Sequence, residues 1–298
     1  MAVYFRGDIA KATPSIGYQR LRKLIDRNDP RAARFLVRLW DKQKTDITYA
    51  ELRQMILTGQ IDAKTIARWQ QEYSQFVTSE LMPLWREMVH EAAGAFSERW
   101  PTWSFDANTE QIAEYTAHHA AELVTNSTTR QIEAIRVMVQ RAATVQDLTV
   151  DQLAQIIRPT IGLYKGQAVA NLNYYNTVRR TLIQNHPRMK ASSVEQRARE
   201  AALKYAGRQH RYRAHMIART ELAFGYNNGE FNALKQAQAH GYVGRLKKRP
   251  STSGDERVCA LCKALEQEMI DMDQPFSNGM QFAPWHPLCR CAMDYIEV

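Results

Sequence analysis

All four cysteines of the chain fall between positions 259 and 291. They come as Cys259-Ala260-Leu261-Cys262 and, with 26 residues between Cys262 and Cys289, as His286-Pro287-Leu288-Cys289-Arg290-Cys291. Two thiolates at C-x-x-C spacing take adjacent corners of one tetrahedron, and a distant second pair with a histidine supplies the rest, which is the ligand set of a structural zinc ion. Five donors compete for four places. Cys259, Cys262 and Cys289 take the first three, with His286 and Cys291 sharing the last. The loser is left to support a ligand from behind. Two disulfides are the alternative if the protein leaves a reducing compartment. A redox C-x-x-C is disfavoured because no βαβ pattern surrounds Cys259.

Charge is the second constraint. The net charge is +9, and Arg179 to Arg219 alone carries eleven Lys and Arg against Glu195 and Glu200. On a helix Arg197, Lys204, Arg208, Arg211 and His215 align in one stripe. Such a stripe is a solvated face, a surface for a polyanion, or a surface for an acidic protein. If the partner is double-stranded DNA, nothing here resembles a base-reading motif. Binding then goes through phosphate, is non-specific, and weakens steeply with salt. Lys247 and Lys248 would extend that surface.

The fold class expected is mainly α: an extended helical body ending in a small, zinc-stapled α+β module. Residues 1–105 form an N-terminal helical region, 106–240 a helical body with the basic helix at about 193–225, and 241–298 the Cys/His module. Apolar spacing predicts helices at 18–24 and 32–40 separated by Asp29-Pro30, then one opened by the capping box Thr48 to Glu51 and closed by Gly59. A longer helix follows from Asp62, bent at Pro83. After a break at 97–108 come helices at 109–124, 129–143, 149–157 (capping box Thr149 to Gln152) and 165–182. The basic helix is capped by Ser192 or Ser193 and runs towards Ala239. Short strands are expected at Tyr242 to Lys247, Glu268 to Met272 and Arg290 to Ile296. No apolar run spans a membrane, and Met1 to Asp8 does not read as a secretory leader.

Catalytic signals are weak. Arg219-Thr220-Glu221 and the histidines invite an enzymatic reading, but a half-buried Glu on a helix is usually structural. His118 and His119 face different directions, Ser253 has no nucleophile elbow, and no Gly-rich phosphate loop is present.

Ala218-Arg219-Thr220-Glu221 followed by Tyr226 and Asn227, then Thr252-Ser253-Gly254-Asp255-Glu256-Arg257-Val258-Cys259-x-x-Cys262, and finally Pro284-Trp285-His286-Pro287-Leu288-Cys289-Arg290-Cys291, resembles the phage head-morphogenesis family typified by Mu F-like minor head proteins. The likeness covers roughly the last 80 to 110 residues. Its pattern falls on Arg219, Glu221, Asp255, Cys259, Cys262, His286, Cys289 and Cys291; Trp285 is a departure. The resemblance implies a minor virion protein of head assembly, associated with the portal and contacting packaged DNA. Its partners would be the portal protein and the major capsid or scaffold protein. Its place would be the virion, and the host cytoplasm during assembly. It is expected not to be an enzyme and to carry no effector domain after Val298. The rival reading is a zinc-dependent nuclease or ADP-ribosyltransferase-like enzyme using Arg219 and Glu221.

Overall fold

The computed structural model describes residues 15–97, 99–142 and 149–298; Met1 to Asp8 and Ala143 lie outside them. The mainly α architecture with a small C-terminal sheet is as expected. The elements are α1 (Ile16–Asp46), α2 (Tyr49–Thr58), α3 (Ala63–Phe76), a π-helical turn (Val77–Leu81), α4 (Met82–Ser97), α5 (Glu110–Ala142), α6 (Val150–Ile157), α7 (Lys165–Asn185), α8 (Ala191–Ala239), β1 (Leu246–Ser251), α9 (Ala260–Leu265), β2 (Ile270–Asp271) and β3 (Ala292–Glu297). No described helix is long and apolar enough to cross a membrane.

Helix starts follow local chemistry. Both capping boxes form: the Thr48 hydroxyl accepts from Glu51 N and the Glu51 carboxylate from Thr48 N, and Thr149 and Gln152 do the same. Asp62 caps α3 through Thr65 N, and Gly59 closes α2 at φ 70°.

Three boundaries differ from expectation. First, α1 is one helix with Pro30 inside it, although an interior proline costs about 3 kcal/mol. The residues around it are otherwise engaged. Leu21, Leu24 and Ile25 are buried, Asn28 Nδ2 donates to Leu24 O at 3.2 Å, and Asp29 accepts from Arg219. Second, α5 is continuous where two helices were expected. Thr128 returns its hydroxyl to Val124 O at 2.9 Å, so its polar group supports the helix it was expected to interrupt. Third, α8 starts at Ala191, which places Ser192 and Ser193 inside its first turn.

The chain divides into two compact units, each assembled from separated stretches: residues 1–30, 82–112 and 216–298, and residues 31–81 and 113–215. The second unit is helical and packs Ile47, Leu52, Met55, Trp69, Ile135, Met138, Ile157 and Tyr175 into one core. Within it Trp40 Nε1 donates to Tyr73 OH, which donates to Gln131 Oε1, each at 2.8 Å. Buried His210 lies between the carbonyls of Ile161 and Ala206. Burial lowers its pKa to about 4, so the ring is neutral and satisfies one of them at a time.

The first unit holds the sheet and the cysteines. Its core joins Tyr18, Leu21, Leu24 and Ile25 of α1, Met88 and Ala92 of α4, Leu222, Ala223 and Tyr226 of α8, and Ala292 of β3. Here α8 presses against α4 through glycine. A Cβ at Gly229 would lie 2.7 Å from Val89 Cα, and one at Gly225 3.2 Å from Trp85 Cα. The sheet is antiparallel, ordered β2-β1-β3. β1 begins at Leu246 and not at Tyr242, where the sequence pattern placed it. Gly241, at φ 74°, and the Gly244 amide bond to Glu297 Oε1 make Tyr242 to Arg245 a turn. Pro250 fits in β1 because β2 pairs only with Lys247 and Lys248 and stops short of it.

Candidate metal centre

Short segments bring the sulfurs together. Cys259 caps α9 and accepts at Sγ from Cys262 N at 3.4 Å, so a single turn of helix sets the first pair. His286 and Cys289 are joined across a turn, with Cys289 N donating to His286 O at 3.0 Å. Cys291 immediately precedes β3. Cys259 is exposed; Cys262, Cys289 and Cys291 are buried.

The donors form two triads, Cys259 with Cys262 and His286, and Cys262 with Cys289 and Cys291; within each, the atoms lie within 4.8 Å of one another. Cys262 Sγ is 3.8 Å from Cys289 Sγ and 3.2 Å from His286 Nε2, which is itself 3.0 Å from Cys259 Sγ. A tetrahedral ion with metal–sulfur bonds of about 2.3 Å sets its sulfurs about 3.8 Å apart. His286 Nδ1 donates to Pro287 O at 2.8 Å, which directs Nε2 at the sulfurs; with the ring neutral, Nε2 would offer them a lone pair. The site adjoins a cavity of about 60 Å³ lined also by Tyr18, Ser253 and Arg257.

The cluster shares its protons unequally, with Cys259 and Cys289 inclined to the thiolate and Cys262 and Cys291 to the thiol. Hydrogen bonds from Cys262 and Cys291 hold the Cys289 thiol well below its usual pKa, and Cys262 is correspondingly raised. Burial opposes ionisation of Cys259, but the Cys262 amide and His286 more than compensate and lower it. These residues can hold a metal ion. All five candidates are gathered, and Cys262 belongs to both triads.

What fixes this loop comes from α8. The turn ends on Leu288, at φ 62°, a left-handed conformation uncommon for leucine. The Thr220 hydroxyl accepts the Leu288 amide at 3.0 Å while donating to Met216 O at 2.8 Å. Further along the helix, Asn227 Nδ2 reaches Cys291 O at 3.2 Å. Arg219 anchors the same part of α8 to α1, its Nη2 on Asp26 Oδ1 at 2.6 Å and its Nε on Asp29 Oδ2 at 3.1 Å. Asp255 caps its own loop, accepting from Ser253 Oγ at 2.8 Å and from Arg257 N at 3.1 Å and pairing with the Arg257 guanidinium. The Arg257 pairing holds its carboxyl well below the usual range. Thr220 and Asn227 stand in the sequence motif without a role assigned to them there. Their work as hydrogen-bonding supports of a loop far along the chain has no local sequence signal.

Residues 167–294 match the family model described as Phage Mu protein F like protein. That segment is Mu F-like. The family is the one the cysteine and histidine pattern pointed to. Neither the comparison with curated proteins nor that with solved structures returned a match. The Mu F-like segment takes in most of α7, all of α8 and the sheet module as far as the middle of β3. It therefore contains both the cysteine cluster and the helix that supports it.

The basic stripe lies in the same segment. Arg197, Lys204, Arg208, Arg211 and His215 are all exposed on α8. The four Arg and Lys make no ion pair among the described residues. Lys248 is a correction. It is fully buried, its Nζ 2.6 Å from Gln281 Oε1 and 4.9 Å from the Phe231 ring centre, and burial lowers its pKa to about 8. Alternation along β1 turns it inward, so it cannot reach a phosphate, whereas Lys247 keeps partial exposure. Arg219 is committed to two carboxylates and Glu221 is buried.

Proposed function

We propose that this chain is a minor head protein of phage assembly, whose C-terminal module is closed by one structural zinc ion. In this reading the module is a rigid docking unit for the portal protein, or for the major capsid or scaffold protein. The exposed stripe on α8 touches packaged double-stranded DNA through phosphates, and the protein resides in the virion. One observation carries the reading. Thr220 and Asn227, two residues of the Mu F-like stretch on α8, hydrogen-bond to the Cys/His loop, as expected of an assembly element. Zinc is favoured over disulfides because a histidine nitrogen shares the cluster, 3.0 Å from Cys259 Sγ and 3.2 Å from Cys262 Sγ, and a disulfide has no use for it. Cys259, Cys262 and Cys289 would hold it with His286 or Cys291, and the ion would supply cross-linking and charge neutralisation.

The test has two arms. Purified protein should carry about one zinc per chain, and Cys289→Ser should lose the metal and fail to enter particles. Metal-free protein with an intact fold and four reactive thiols would refute the zinc assignment. For DNA, replacing Lys204 and Arg211 by Gln should reduce the slope of log affinity against log salt by roughly 0.9 for each phosphate no longer neutralised. An unchanged slope would remove DNA from the stripe and leave the acidic protein partner.

A further inference from the structure

The stripe borders a groove of about 390 Å³ between the start of α7 and the middle of α8, lined by Tyr164, Gln167, Tyr205, Arg208, Gln209 and Tyr212. Its composition is unlike a phosphate track. Tyr212 is 57% exposed and Tyr164 38% exposed, so two aromatic rings stand open to solvent. Tyr205 is held in place by Tyr174, ring centres 4.7 Å apart, and by the Arg208 guanidinium 5.5 Å from its ring centre.

Two glutamines line the same groove. Gln167 and Gln209 are 6% and 8% exposed, and each donates its Nε2 to the other's backbone carbonyl, at 3.3 and 3.0 Å. That reciprocal pairing uses both side-chain amides as donors and leaves both Oε1 acceptors without a hydrogen bond. Both Oε1 atoms are themselves closed off from solvent, so the pair ties α7 to α8 beneath the groove and forms its floor. The start of α7 faces the groove as well. Tyr164 stands at its N-cap with its ring laid against Gly166 of the first turn.

We propose that this groove takes an unpaired nucleotide of single-stranded DNA. The base stacks on Tyr212 and Tyr164 above the Gln167–Gln209 floor, and its phosphate lies on Arg208. Duplex DNA cannot use the groove, because its bases are already stacked and paired. Tyrosine platforms beside cations are the usual means of holding single strands. Arg197, Lys204 and Arg211 then track the flanking phosphates. This inference rests on the assignment of the stripe to DNA and adds a preference for unpaired ends or bubbles over intact duplex.

Fluorescence anisotropy with the full chain tests it, using a labelled single-stranded 12-mer, the same 12-mer with abasic sites throughout, and a duplex of equal length. The base-bearing strand should bind at least about fivefold tighter than its abasic counterpart, given the usual strength of base–aromatic stacking. Tyr212→Ala should erase that difference while duplex affinity stays unchanged, and Tyr212→Phe should restore it. Equal binding of base-bearing and abasic strands would overturn the groove and leave the phosphate stripe standing. No binding of any of the three at low salt would overturn both. Since the abasic comparison needs no variant, the outcome does not depend on any mutant folding.

Discussion

Removing the Thr220 hydroxyl should loosen the metal centre without touching a ligand. In Thr220→Val the side chain keeps its shape, but the Leu288 amide loses its acceptor. An orphaned, partly buried N–H costs about 1–2 kcal/mol. The turn cannot readily relax to avoid that cost, because Leu288 already holds a left-handed φ of 62°, worth a further ~1 kcal/mol against a leucine. If the loss falls on the metal-binding conformation, zinc affinity should drop roughly 5- to 30-fold, at 1.4 kcal/mol per factor of ten. The midpoint of thermal unfolding should fall by about 2–4 °C per kcal/mol. Competition against a chromogenic chelator and a melting curve read the two effects. Thr220→Ser, which keeps the hydroxyl, should behave as the parent does. Valine and serine variants with the same affinity and the same midpoint would refute the claim that α8 sets the loop through this bond.

Three further outcomes are expected. Gly229→Ala should destabilise the fold by about 1–3 kcal/mol in urea unfolding, since its methyl would sit 2.7 Å from Val89 Cα and the backbones must part; a neutral effect would mean that α4 and α8 are farther apart in solution. Glu230, fully buried with Tyr226 OH on its Oε1 at 2.8 Å, has its pKa raised by burial to about 8. It is protonated on both sides of folding below about 4.5, and above that only the folded chain keeps the proton, so its stabilising contribution is lost as pH rises from there through 8. Glu230→Gln should flatten this fall, and denaturant midpoints at pH 5 and pH 8 that drop equally in both proteins would contradict it. Cys262→Ser should abolish metal retention whereas Cys291→Ser lowers it, because Cys262 alone belongs to both triads; measured metal content in the reverse order would reassign the ligands.

Sequence reading succeeds where the cause is local. The capping residues Thr48, Asp62 and Thr149 and the closing Gly59 act within four positions of themselves, and each stands where its pattern put it. The gathering of the four cysteines and His286 was legible for a related reason: C-x-x-C spacing sets one pair, and the remaining three candidates stand within six positions of one another. Long-range causes were not legible. Pro30 and Thr128 look like breaks, yet α1 and α5 run through them, because core packing and side-chain bonds to the backbone outweigh propensity. Lys248 sits in a cationic run of the sequence, but pleating and the Phe231 and Phe276 rings take it inside. Gln167 and Gln209 look like ordinary polar residues until α7 and α8 lie side by side.

A single sulfur shared by both triads has a redox consequence. Cys262 and Cys289 Sγ stand 3.8 Å apart, and closing to the roughly 2.05 Å of a disulfide would take a donor from each half of the centre in one event. Oxidant damage to this module would then be abrupt: a two-electron loss at that pair would remove two ligands in one event and leave a bound ion only Cys259 with His286 or Cys291.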